Sequence, residues 1–232
     1  MWTRNSRIGD NLKTVKRRIR YDRILLVLLI LFLIVFCVIK IINLRITNIY
    51  VSGNEILSDQ EIIDLAKLEN YPKTINNSTW TIEERLKKND LIKKASVTKE
   101  KLTIIKINVE ENKPLFYNGV TNKTVLENSI EIERKISLPT LINYVPDYIY
   151  LEFINKMSLI NKEIIEKISE IKYDPNDIDE KRFLLTMVDG NYVYLTISRF
   201  EVLNNYITII KNFNNKKGIL YLDAGNVFEY FE

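Results

Sequence analysis

From Ile24 to Ile39 every position is apolar, and Ile41 and Ile42 carry the run past Lys40. Residues 24–42, at a helical rise of ~1.5 Å, span roughly 28 Å, which matches a bilayer's hydrocarbon core. Lys40 sits near one end, where its long stem can carry the charge to the headgroups. A cleaved leader would have a shorter apolar stretch ending in small residues, and Lys40–Arg45 has no such site. The run is therefore expected to be an uncleaved membrane anchor.

The pattern then changes to short amphipathic pieces. Ile46–Val51 reads as a strand and Gly53-Asn54 as a turn. Ser58 followed by Glu61 forms a capping box before Ile62, Leu65 and Ala66, which share a helical face. Thr81 with Glu84 predicts a second box, opening a helix that carries Ile82 and Leu86. Ala95 and Val97 mark a strand. Thr103, Ile105, Ile107 and Val109 then alternate with polar residues, the period of a strand with one wet face. The order β-α-α-β-β predicts two helices on one face of a three-stranded sheet.

After Asn112 the chain reads mainly as strands. Pro114–Asn118, Thr124–Glu127 and Glu131–Ile136 are short candidates, and Leu138–Leu141 is expected to interrupt them. Asp147–Lys156 and Lys162–Ser169 read as helices, with a strand at Ile171–Tyr173. Phe183–Val188 and Asn191–Ile197 flank Asp189-Gly190, a pair suited to a tight hairpin turn. Ser198 with Glu201 predicts a third capping box, before a helix bearing Leu203, Tyr206, Ile207 and Ile210. Ile219–Asp223, a turn at 224–226 and Val227–Phe231 complete the reading.

Charge separates the ends of the molecule. Residues 1–23 hold eight basic side chains against Asp10 and Asp22, while the rest holds 26 basic and 28 acidic. Lys and Arg before a span favour a cytoplasmic N-terminus, which would place residues 43–232 across the membrane. No folded reader or interleaved aromatics accompany the basic arm, so nucleic acid is not expected as a partner. The composition has no histidine and one cysteine, Cys37 inside the apolar run, which removes imidazole chemistry and cysteine zinc sites.

Catalytic motifs are weak. Ser96 and Lys99 match S-x-x-K, but on a predicted strand and without companion motifs. Glu83-Glu84 and Glu110-Glu111 are adjacent rather than convergent, so they read as solvated faces. No catalytic residue, cofactor site or metal site is expected. The feature left over is the last strand. Val227, Phe228, Tyr230 and Phe231 are apolar around Glu229, and nothing after them is expected to cover an edge. Phe228 and Tyr230 would share one face, and Val227 and Phe231 the other. Such an edge suits strand addition by a partner.

These residues together resemble the FtsQ/DivIB family of bacterial cell-division proteins. Ile49–Asn54 followed by Leu57–Ile62 is similar to the opening of the family's POTRA domain. Ala95–Val97 and Leu102–Glu110 resemble its closing strands. Leu138–Leu141, the Asp189-Gly190 hairpin and Ile219–Asp223 resemble its C-terminal half. The resemblance implies an α+β architecture: a cytoplasmic tail (1–23), one transmembrane helix (24–42), a POTRA domain (43–112), and a mainly antiparallel β-domain with flanking helices (113–232). It also implies a non-enzymatic scaffold at the division septum. This scaffold would bind FtsL-type and FtsB/DivIC-type coiled-coil membrane proteins and other divisome proteins, and would help control septal peptidoglycan synthesis. The family's partner strand carries over to Val227, Phe228, Glu229, Tyr230 and Phe231, with Tyr221 beside them. Membrane lipid is the remaining expected contact. The competing reading is a membrane-anchored POTRA protein of envelope assembly or export.

Overall fold

The computed structural model describes residues 20–214, 216–223 and 225–231. Most of the basic arm, residues 1–19, lies outside them, as does Ala224 of the expected final turn. Helix α1 (Tyr21–Ile42) takes in the whole apolar run, and among the described residues none of it is buried against protein. Such a surface is stable in hydrocarbon and costly in water. Asn43 closes the helix by donating its side-chain amide to the Ile39 carbonyl (3.0 Å).

The first folded module follows after a few residues. Strand β1 (Asn48–Ser52) runs parallel to β3 (Ile104–Glu111), which pairs antiparallel with β2 (Ile92–Glu100), giving the order β1-β3-β2. Helices α2 (Asp59–Leu65) and α3 (Thr79–Leu86) supply Ile62, Ile82 and Leu86 to a core shared with Val97, Ile105, Ile107 and Val109. The alternation along β3 thus buries the expected face. Gly53 has φ +84°, and a Cβ there would lie 2.1 Å from the Val109 carbonyl oxygen, so only glycine fits the turn. Glu111 closes the same corner by accepting from the backbone N–H groups of Glu55, Ile56 and Leu57 (3.1, 2.7 and 2.9 Å).

The first predicted capping box is present in full at Ser58 and Glu61. The second is displaced. Ser78, not Thr81, caps α3, accepting from the Thr81 N–H (3.1 Å). The neighbouring Glu83 instead accepts from the Val97 N–H on β2 (2.8 Å).

The remaining strands form one nine-stranded sheet. In chain order they are β4 (Pro114–Asn118), β5 (Lys123–Leu126), β6 (Glu131–Ile132), β7 (Thr140–Leu141), β8 (Ile168–Tyr173), β9 (Arg182–Met187), β10 (Tyr192–Thr196), β11 (Gly218–Tyr221) and β12 (Val227–Tyr230). Across the sheet the order is β12-β11-β10-β9-β8-β7-β4-β5-β6. Antiparallel pairs predominate, with parallel pairing at β4–β7, β7–β8 and β10–β11. Helices α4 (Asp147–Ser158), α5 (Lys162–Ile165) and α6 (Tyr206–Asn212) contribute to the core beneath one face. At its centre Phe153 stacks on Phe183 (4.7 Å between centroids), with Phe116 and Phe200 around them.

Three local expectations change here. Leu138–Leu141 does not merely interrupt the strands, because Thr140 and Leu141 bridge β4 and β8. The expected helix 162–169 stops at Ile165, and Ile168 already pairs with Met187. Residues 197–205 form a 3-10 helix without a side-chain cap, so Ser198 opens no α-helix.

The two units are stapled together. Leu126 of β5 belongs to the first module's core, and Ile132 of β6 packs against it. Around this contact lie the ion pairs Glu61–Arg134 (2.7 Å), Glu55–Lys162 (2.6 Å) and Lys93–Glu127 (2.9 Å). Strand β6 is therefore the sheet edge beside the first module, and β12 is the opposite edge.

Candidate functional site

Among the described residues strand β12 has one neighbour, β11, and so lies at an edge of the sheet. The Phe231 N–H bonds the Lys217 carbonyl (3.1 Å). An antiparallel ladder alternates, so Val227 and Glu229 also point their backbone groups at β11. The N–H and C=O groups of Phe228 and Tyr230 then face the open edge. That is the geometry a further strand would pair with.

The side chains divide as expected. Phe228 and Tyr230 lie toward the helices. Phe228 is half-buried, stacked on Phe213 (4.6 Å, 14°) and edge-on to Tyr230 (5.1 Å). Lys216 lies over the Tyr230 ring (5.0 Å). On the other face Phe231 meets Tyr192 edge-on (5.9 Å), and Tyr221 donates to the Glu229 carboxylate (3.0 Å). Val227, Tyr230 and Phe231 remain 54%, 49% and 44% exposed. Phe228 is thus partly a core residue, which an apolar pattern of five residues does not reveal.

Several residues that the sequence did not single out hold this edge in place. Gly218 of β11 lies under β12: a Cβ there would sit 2.0 Å from the Glu229 carbonyl oxygen and 2.9 Å from the Phe228 ring. The Gly218 N–H donates to buried Asn191 (2.9 Å), whose amide donates to the Tyr206 hydroxyl (3.1 Å). Tyr206 in turn donates to Asp189 (2.8 Å), and burial pushes its phenol up from the ordinary value. The hairpin turn, α6 and the start of β11 are thereby joined. On the open face Arg182 lies over Tyr194 (3.7 Å), bonds Asp223 (2.9 Å) and so supports the Tyr194–Tyr221 stack (5.5 Å). Partial burial and then the Glu229 charge raise the Tyr221 phenol.

Other concave sites offer different chemistry. A cleft of about 460 Å³ between the two units is lined by Glu55, Glu110, Glu111, Lys113 and Lys162 among others. Three of its carboxylates are already engaged: Glu55 by Lys162, Glu110 by Lys94, Glu111 by backbone N–H groups. Lys113 bonds the Ser158 and Ile160 carbonyls, and burial lowers its pKa. Among the described residues no group of three or more His, Cys, Asp or Glu side chains is placed to hold a metal ion.

Comparison with known proteins adds an independent line. A family model described as "POTRA domain, FtsQ-type" matches residues 44–112. The chain is similar to the cell division protein DivIB of Bacillus subtilis (strain 168), 29% identical over 234 residues, covering 93% of this chain and 87% of that protein. It is also similar to DivIB of Listeria monocytogenes serovar 1/2a, 31% identical over 200 residues, covering 81% and 73%. Among solved structures it is similar to the major extracytoplasmic domain of DivIB from Geobacillus stearothermophilus. That match has 23% identity and a TM-score of 0.38, covering 46% of this chain and 97% of that one.

Proposed function

The chain belongs to the DivIB family of bacterial cell division proteins, and from that premise we propose that it is a single-span scaffold whose β12 edge receives a strand from a partner. It is a membrane-anchored division protein with a role in the divisome. In the proposed arrangement the basic N-terminus is cytoplasmic and the POTRA and β modules lie outside. The partners are small coiled-coil membrane proteins of the FtsL and FtsB/DivIC types. Holding them at the septum would couple assembly to septal peptidoglycan synthesis, without chemistry by this chain.

The supporting observation is the open edge at Phe228 and Tyr230, flanked by exposed aromatic side chains. Backbone pairing would supply affinity, and the rings on the two faces would supply specificity. The test is co-purification from membranes of the full chain and of a chain ending at Asn226. Recovery of two small coiled-coil membrane proteins by the full chain alone, with both chains folded, is the expected result. Recovery by both chains would move the site elsewhere. Recovery of a secreted substrate or a barrel instead would favour envelope assembly.

A further inference from the structure

Between the end of α1 and the first module lie only a few residues, and they are fixed rather than free. The Leu44 carbonyl accepts from the Thr74 N–H (2.9 Å), and the Ile46 N–H donates to the Pro72 carbonyl (3.1 Å). Lys73 donates to the Asn43 side chain (2.8 Å), and the Thr47 N–H donates to the Thr103 carbonyl (2.8 Å). The loop 67–76 and the β2–β3 tip at 101–103 are therefore held against the end of the membrane helix.

This end of the module is unusually apolar for a wet surface. Tyr71, Ile75 and Leu102 are 51%, 56% and 58% exposed, and Trp80, in the first turn of α3 just after Ile75, is 69% exposed. Tyr71, Lys101 and Leu102 have φ of +50°, +49° and +63°, a left-handed backbone that residues with a Cβ rarely adopt. Two of the four apolar side chains are thus presented outward from unfavourable backbone. Arg45, Lys67, Lys73 and Lys101 belong to the same joined segments, with Glu69 the acidic residue of the loop.

We propose that this end of the module is seated in the headgroup layer of the bilayer, with Tyr71, Ile75, Trp80 and Leu102 inserted beside α1. Tryptophan and tyrosine favour that depth, and lysine and arginine stems reach phosphates from it. The occupant follows from continuity: α1 fixes its own end at the membrane surface, and the patch is bonded to that end. The POTRA module would then be a fixed foot, giving β12 a set orientation relative to the membrane. This rests on insertion of α1 and not on any partner of β12.

The experiment uses the full chain carrying Trp2→Phe, so that Trp80 is the sole tryptophan. It is reconstituted in vesicles of phosphatidylethanolamine and phosphatidylglycerol, with flotation as the check on α1 insertion. Lipids brominated near the headgroup should quench Trp80 and aqueous iodide should not. Adding Tyr71→Ser, Ile75→Ser and Leu102→Ser should red-shift the emission and restore iodide access. In the parent chain, floated but iodide-accessible and unquenched by bromolipid, Trp80 would overturn the proposal. Protection from iodide without bromolipid quenching would overturn it too, and would point to a second protein chain on the patch.

Discussion

The edges at β2 and β12 are both solvent-facing, yet they are built in opposite ways. Strand β2 carries Lys93, Lys94, Lys99 and Glu100, and α3 reaches over it so that Glu83 occupies the Val97 N–H. Charge and a covering side chain are ordinary protections against stray pairing. Strand β12 has one charge, Glu229, and that is engaged by the Tyr221 hydroxyl on the open face. Its outer edge has aromatic rings around it instead. The contrast teaches that the bareness of β12 is a local property of one strand, since the same chain blunts an edge where none is wanted.

The largest break in that contrast is expected from Gly218→Val. Its Cβ would displace β12 from β11, so co-purification of partners should be lost. Amide exchange should rise at 227–231 and stay unchanged in β8 and β9. Next come the two rings. Phe228→Ala should cost about 2 kcal/mol of stability because its ring packs on Phe213 and the core. Tyr230→Ala should leave thermal unfolding within about 0.5 kcal/mol, while weakening partner binding by about 2 kcal/mol, roughly thirtyfold. Equal effects of both on melting would mean that Tyr230 is also core.

A smaller effect is expected on the protected edge. Glu83→Ala leaves the Val97 N–H without its acceptor, which should cost about 1–2 kcal/mol by chemical denaturation. Raised self-association in sedimentation would show that Glu83 also guards β2 against pairing. The smallest concerns the junction between modules. Arg134, and then the Ser58 N–H, hold the Glu61 carboxyl down to about 2 from an ordinary 4.5. A depressed carboxyl stabilises fully above its ordinary value and loses that stabilisation as pH falls through its folded value. Amide protection at Ser58 and Glu61, corrected for the pH dependence of intrinsic exchange, should therefore fall as pH drops from about 4.5 to about 2, and a Glu61→Gln chain should lose most of this pH dependence.

The parts of the fold legible in sequence are those set by near neighbours. The alternation Thr103–Val109 and the box Ser58–Glu61 each contain their own partners, and both appear as read. Thr81–Glu84 misleads because α3 begins earlier, at Thr79, so that Ser78 is the cap and Thr81 already lies in the first turn. The two residues of β7 carry no pattern of their own, since parallel neighbours on both sides make them a strand. At the candidate edge, the identity and faces of Val227–Phe231 were readable. The Phe213 stack and the Asn191–Tyr206 brace were not, because the chain returns to them only through tertiary packing.

Gly218 has a consequence in heredity. Every single-base change that alters a glycine codon to encode another residue adds a Cβ, and here that atom would meet a backbone carbonyl at 2.0 Å. No missense step from this codon is conservative. Alleles at 218 should therefore behave as separation-of-function mutants: the protein accumulates and reaches the membrane, and fails at the sheet edge.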